Sequence, residues 1–208
     1  EEWIAQRDEA RVPFVVLNRA VTHPSIASIL VDFESGAAQA TRHLLDLDHT
    51  RIAYLGDLEH RISGLEFRGV QAALAARGLS YPDAYRISIP HTPEGASQGV
   101  SRIMELPPER RPTAIVTFDD NMAIDVLNTL RYYGVRVPEE MSVVGFDNIP
   151  MAAHTYPALT TVDVPKRRVG RQMVLLVDEL RRNGGTAPGA TIVSVSLLVR
   201  GSTGRAPR

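Results

Sequence analysis

Val137-Pro-Glu-Glu-Met-Ser-Val-Val-Gly-Phe-Asp-Asn148 enters through a proline loop, crosses an apolar run and stops on two polar residues. The run Met141–Phe146 is short, carries β-branched and aromatic side chains and is bounded by Pro138 and Asp147, the pattern of a buried strand. The same pattern recurs in both directions along the chain. Phe14–Leu17, Arg51–Gly56, Tyr85–Ile89 and Thr113–Phe118 are likewise short apolar runs closed by Pro, Gly, Asp or Asn. Amphipathic stretches lie between them. In 63–77, Leu65, Val70, Ala73 and Leu74 face one way and Gly78 follows as a stop. In 120–133 the stripe is Met122, Ala123, Val126, Leu127 and Leu130, ending at Gly134. In 166–183 it is Val169, Met173, Leu176, Val177 and Leu180, with Gly184-Gly185 behind. Strands alternating with helices of this length predict an α/β fold of right-handed βαβ units, with parallel sheet flanked by helices on both faces.

In open α/β sheets ligands bind beyond the carboxyl ends of the strands. The residues at those ends are Asn18-Arg19, Asp57, His91-Thr92, Asp119-Asp120 and Asp147-Asn148. All are polar and none carries a catalytic signature, which suits a binding cleft.

Composition narrows the function further. The chain has 208 residues, 44% hydrophobic and 23% charged, ordinary values for a globular protein with its own core. No apolar run approaches the ~20 residues that span a bilayer. There is no cysteine, hence no disulfide framework and no thiolate nucleophile or metal ligand, in keeping with a reducing compartment. The formal charge is −1 and the basic residues are spread along the chain, so no global field draws in nucleic acid. Of 23 basic residues only Lys166 is lysine, a bias that reads as genome composition. No signal-peptide pattern follows Glu1-Glu2-Trp3. There is no GxGxxG and no phosphate loop, since Lys166 stands between Pro165 and Arg167. There is no GxSxG elbow. The six histidines show no zinc spacing. Asp119-Asp120 reads as a cap for the helix beginning near Asn121, or as a ligand hydrogen-bonding pair, before it reads as a metal site. No cofactor, metal or catalysis is expected.

From about Val12 to Thr203 the sequence resembles the regulatory core of the lactose-repressor (LacI/GalR) family of transcriptional regulators. Pro13-Phe-Val-Val-Leu-Asn-Arg19 is similar to the family's first-lobe strand exit, and Phe118-Asp-Asp-Asn-Met-Ala123 to its N-D-x-M-A turn. Val137–Asn148 is close to its V-P-x-D-[IV]-S-V-[IV]-G-[FY]-D-[DN] segment. Leu159-Thr-Thr-Val162 and Leu198-Val-Arg-Gly-Ser-Thr203 match its closing blocks, in the family's order. The resemblance implies a two-lobed, periplasmic-binding-protein-like fold, an effector held between the lobes and three chain crossings. The lobes would comprise 1–31 with 163–195, an incomplete first lobe, and 32–162 with 196–208. It also implies a cytoplasmic homodimer whose operator binding belongs to a helix-turn-helix headpiece. Nothing in 1–208 reads as such a headpiece, so DNA binding by this chain alone is not expected.

The resemblance also names site residues. Asp147 matches the acid that bonds effector hydroxyls or ring nitrogens; the alternative is a loop aspartate capping its own turn. Asn18 and Arg19 match the pair at the mouth of the first lobe, where Arg19 offers a planar fork to diols or carboxylates or forms a salt bridge. Asp119 stands where the family has Asn, keeping an acceptor and losing the amide donors. Phe146 is either core packing or a stacking platform. His91 falls near an aromatic position that stacks on the effector ring. Glu66, in Glu66-Phe-Arg-Gly69, stands where the family has an effector-gripping Arg. It either faces the cleft beside Asp147, favouring amine-bearing or hydroxyl-rich ligands, or closes a capping box with Ser63. Two other functions compete with the regulator: a solute-binding protein of a sugar uptake system, which shares the fold, and a small α/β hydrolase, which the absent motifs disfavour.

Overall fold

The computed structural model describes residues 13–23, 25–184, 187 and 189–207. Residues 1–12 of the expected first lobe and Gly185 of the expected helix stop lie outside the described residues. The chain divides into two compact units, one formed by the stretch ending at Asp32 with Pro165–Ser194, the other by Phe33–Val164 with Val195 onward.

In the first unit β1 (Phe14–Leu17), β2 (Ile26–Val31) and β8 (Ala190–Val193) form a three-stranded parallel sheet in the order β1-β2-β8. The strand β2 was not among the runs read from sequence. It is the central strand, and Ile26, Ala27 and Ile29 are buried there. The helix α5 (Lys166–Arg182) belongs to the same unit and buries Val169, Leu176 and Leu180.

In the second unit six strands order as β4-β3-β5-β6-β7-β9: β3 (Ile52–Gly56), β4 (Arg86–Ser88), β5 (Ala114–Thr117), β6 (Ser142–Asp147), β7 (Thr160–Asp163) and β9 (Ser196–Leu198). The pairs are parallel except for β9 on β7 at the edge, which is antiparallel. Side chains alternate across the pleat. Leu55, Ile115 and Val143 pack with Val100 and Ile103 of α3 (Pro93–Met104) and with Met122, Val126 and Leu130 of α4 (Asp120–Tyr132). Tyr54, between Ala53 and Leu55, points to the other face, where α1 (Phe33–Asp46) and α2 (Arg61–Ala75) lie. The helices α1 and α3 were not read from sequence. Their buried positions mix small residues, Gly36, Ala37, Ala38 and Ala40 in one and Gly95, Ala96 and Gly99 in the other, with Phe33, Leu44 and Leu45 or Val100 and Ile103.

The closing Ser202-Thr203 block is explained by the backbone it satisfies. The Ser202 hydroxyl donates to the Val143 carbonyl (2.6 Å) and accepts from Thr160 N–H (2.8 Å). Nearby, His49 is completely buried. Its Nδ1 lies 2.9 Å from Thr113 Oγ1, and its Nε2 lies 3.0 Å from Ser142 Oγ and 3.0 Å from the Gly204 carbonyl. His49 thereby ties the start of the sheet to the chain's last residues. Burial lowers its pKa below the usual 6.5, outweighing the raising effect of the Gly204 carbonyl. The native state therefore resists charging the ring while the unfolded chain does not. The stability that neutral His49 contributes is full above about pH 6.5 and lost as pH falls below it. The margin by which the natural chain out-melts His49→Gln is expected to be largest near neutrality and to shrink on acidification. Thermal melts across this range check it; a constant margin refutes it.

Candidate functional site

The polar residues singled out by sequence in the second unit stand where β3 to β6 end. Beyond β3, Asp57 Oδ1 accepts from Glu59 N–H (3.1 Å), a local turn. Beyond β5, Asp119 caps α4: its Oδ1 accepts from Met122 N–H (2.8 Å). Its second oxygen, Oδ2, lies 2.8 Å from His91 Nε2, so the cap also orients the imidazole. Asp119 is nearly buried, whereas the His91 side chain is 46% exposed. His91 meets the half-buried ring of Phe118 edge-on at 5.2 Å, and His60 meets the same ring edge-on at 5.3 Å. Two imidazoles thus flank Phe118, an arrangement the sequence reading missed because His60 lies in the turn leading into α2, far from His91 in the chain.

Beyond β6, the backbone turns sharply. Asp147 has φ +101° and Asn148 φ +52°, both in the left-handed region that costs a non-glycine residue about 1–3 kcal/mol. The turn is pinned on several sides. Asn148 Nδ2 donates to Asp163 Oδ1 (2.7 Å), and its Oδ1 accepts from Arg200 Nη2 (2.7 Å). Asn148 N–H reaches Thr161 Oγ1 (3.3 Å), and Ile149 N–H reaches Asp120 Oδ2 (2.8 Å). In the first unit, Asn18 at the end of β1 is likewise left-handed, with φ +58°. Its Oδ1 accepts from Val31 N–H (3.1 Å), which ties the strand exit to β2, and Arg19 beside it is exposed.

Two expectations need correction. Phe146 is no platform at a site: it is 1% exposed, its ring lies 5.5 Å from that of Phe33, and it crowds Gly36 of α1. The capping box of Ser63 and Glu66 is not formed. Helix α2 begins at Arg61 with His60 as its N-cap, which places Ser63 and Glu66 inside the helix and on its buried face. There Tyr54 O–H donates to Glu66 Oε2 (2.8 Å). Since that proton is committed, Ser63 O–H is the donor in its 2.8 Å contact with Tyr54. Glu66 is buried, and desolvation pushes its pKa well above the usual 4.5, with Asp147 and Asp119 adding to the rise against the lowering effect of the Tyr54 bond. The charges of Asp119 and Asp147 therefore act on both Glu66 and Asp120 at this end of the sheet.

The Glu66 geometry sets an expected result. A raised carboxyl pKa means that the native state favours the proton, so this group's contribution improves as pH falls and worsens as pH rises. Glu66→Gln keeps an acceptor for Tyr54 and removes the charge. Its melting temperature is expected to match the natural chain in mild acid and to gain on it as pH rises. Glu66→Leu leaves Ser63 Oγ as the acceptor within reach of the Tyr54 hydroxyl and is expected to lose the net worth of one hydrogen bond, about 0.5–1.5 kcal/mol. A Gln variant that melts lower at every pH overturns this account.

Residues 41–203 match the model of the periplasmic binding protein-like domain. The chain belongs to this family, in its LacI/GalR branch. It is 34% identical over 169 residues to the HTH-type transcriptional repressor PurR of Aliivibrio fischeri, covering 81% of this chain and 50% of that protein. The chain thus spans about half the length of this curated relative. A LacI-family regulatory protein from Chloroflexus aggregans superposes with a TM-score of 0.87 at 28% identity, over 97% of this chain and 72% of that one. The transcriptional regulator CelR, solved as a cellobiose complex, superposes at 0.83 and 28% identity, over 94% and 60%. The two-lobed α/β expectation agrees with these folds. Among the described residues no helix is long and apolar enough to cross a membrane.

Proposed function

We propose that this chain is the effector-sensing core of a LacI/GalR-like transcriptional regulator, without catalysis of its own, which binds a small polar ligand at the strand exits of its second lobe. The observation that carries this reading is the Asp147 exit of β6, a strained left-handed turn held by Thr161, Asp163, Arg200 and Asp120. Strain over-determined by its surroundings is a mark of functional sites. Asp147 supplies the acceptor for a ligand hydroxyl or ring N–H. His91, oriented by Asp119 against Phe118, supplies a half-exposed ring with a polar edge. Asn18 and Arg19 are the proposed contribution of the first lobe. Ligand occupancy would then modulate operator binding by a helix-turn-helix headpiece, in a cytoplasmic homodimer, through coupling between two sites.

The acidic surroundings indicate the ligand's chemistry. Glu66 takes the place of a cation, and Asp119 and Asp147 lie within its electrostatic reach. Neutral sugar-like or nucleobase-like molecules rich in N–H or O–H donors, and amines, are favoured over carboxylates and phosphates. The cellobiose bound by CelR is a neutral molecule of this kind. The test is a thermal-shift screen of this chain with cellobiose, ribose, polyols, nucleosides and amino sugars, against sugar acids and sugar phosphates, followed by calorimetry. Neutral or cationic binders without turnover support the reading. Selective binding of the anions, turnover of any member, or no binder at all overturns it. Sedimentation velocity is expected to show twice the chain mass.

A further inference from the structure

We propose that Asp120 is the positioning residue of this site: through Thr161 and Ile149 its carboxylate holds the Asp147–Asn148 turn in the left-handed conformation that presents Asp147. This rests on the functional reading above, but its test does not.

Asp120 is the first residue of α4 and is fully buried. The capping of α4 is done by Asp119, so Asp120 is not spent on its own helix. Its Oδ1 accepts from Thr161 O–H on β7 (2.6 Å), and its Oδ2 accepts from Ile149 N–H (2.8 Å), the amide directly after the two left-handed residues. The Thr161 hydroxyl, with its proton given to Asp120, accepts from Asn148 N–H (3.3 Å). One carboxylate therefore satisfies one backbone amide of the turn directly and orients the acceptor of the other. The strand makes room for it. A Cβ on Gly145 would approach Asp120 Oδ1 to 2.2 Å, so any other residue at that position would expel the carboxylate. Gly145, Asp120, Thr161 and the turn form one assembly that joins β6, α4 and β7.

The assembly requires both oxygens as acceptors. A protonated acid keeps an acceptor for Ile149 N–H on Oδ2 but turns Oδ1 into a donor, so the Thr161 bond must reverse and the Thr161 hydroxyl, already accepting from Asn148 N–H, loses the acceptor for its own proton. Burial raises the Asp120 pKa to about 6, with the negative charges of Asp147 and Asp119, the ionised groups acting on it, adding to the rise against the lowering effect of Thr161 and Ile149. The turn is accordingly expected to loosen as pH falls through that value. The native state itself favours the proton over this interval, so global stability does not fall on this group's account.

The experiment is amide hydrogen exchange and amide shift titration by NMR on the ligand-free full chain, for the natural sequence, Asp120→Ala, Asp120→Asn and Thr161→Val. Expected are an Ile149 shift that titrates near pH 6 and is absent in Asp120→Asn, and Ile149 exchange faster by about tenfold or more in Asp120→Ala. The Asn variant, with one acceptor left, should lie between. In Thr161→Val the Asn148 amide should exchange faster, while Val116 in the sheet stays protected in every variant. If Asp120→Ala does not fold, Asp120→Asn and Thr161→Val decide the matter. An Ile149 amide indifferent to pH, or Ile149 and Asn148 exchange unchanged in the folded variants, overturns the proposal. No ligand enters this measurement, so a failed ligand screen and a failed Asp120 proposal remain separate results.

Discussion

Replacing Asp147 by Ala is expected to lower affinity for the best ligand of the screen by about ten- to a hundredfold. A buried hydrogen bond that a carboxylate accepts from a ligand hydroxyl is worth about 1.5–3 kcal/mol, which converts to that range. The structure adds a complication and its remedy. Asp147 has φ +101°, where alanine is strained, so Asp147→Ala should also melt lower than the natural chain. Asp147→Gly adopts this φ freely and should recover that melting loss while remaining deficient in binding. Calorimetry and melts on the two variants separate the ligand contact from the turn. If both bind like the natural chain, Asp147 is a turn residue and nothing more.

Gly69→Ala is expected to produce a large loss of stability in the second unit. A Cβ at this position would lie 2.1 Å from the Glu34 carbonyl oxygen and 3.0 Å from Ala38 N, both backbone atoms of α1. Two helix backbones can approach this closely only over glycine, and neither can give way as a side chain would. Overpacking of this kind costs about 3 kcal/mol, and α1 and α2 would have to separate to relieve it. Gly64, one turn and a residue earlier on α2, has open space around its missing Cβ. Gly64→Ala is therefore the control and should be neutral or stabilising, since alanine is the better helix former. Urea unfolding of the two variants checks the pair; equal midpoints would refute the packing account.

The same glycine shows what motif reading can and cannot deliver. Gly69 closes the Glu66-Phe-Arg-Gly69 motif of the resemblance, but its reason lies in α1, which was not read from sequence. The buried face of α1 sets Gly36, Ala37, Ala38, Ala40 and Thr41 between Phe33 at one end and Leu44 and Leu45 at the other, and the small residues are where α2 approaches closely. Strand β2 escaped for another reason. Its run Ile26–Val31 is as apolar as the others, but it abuts the junction between the two units at Asp32. The strands at Ile52–Gly56, Ala114–Thr117 and Ser142–Asp147 were legible because they are covered on both faces, and their apolar runs are therefore continuous.

At the candidate site the division is sharper. The polar residues at strand ends could be named in advance, because a parallel sheet exposes the carboxyl ends of its strands wherever the chain leaves them. Their roles could not. Glu66 and Ser63 have the spacing of a capping box, and only the position of the helix start at Arg61 turned both side chains inward. Asp119 and Asp120 are adjacent and chemically identical, yet one caps a helix and orients His91 while the other is buried against β7. Sequence by itself determined the alternation of strand and helix, and hence the α/β class, since that follows from local periodicity. The tertiary structure alone decided which carboxyl groups are exposed, which are buried and which proton each one holds. Those properties depend on desolvation and on partners 12 residues away, as for Tyr54 and Glu66, or 41 residues away, as for Thr161 and Asp120, and no local pattern encodes either.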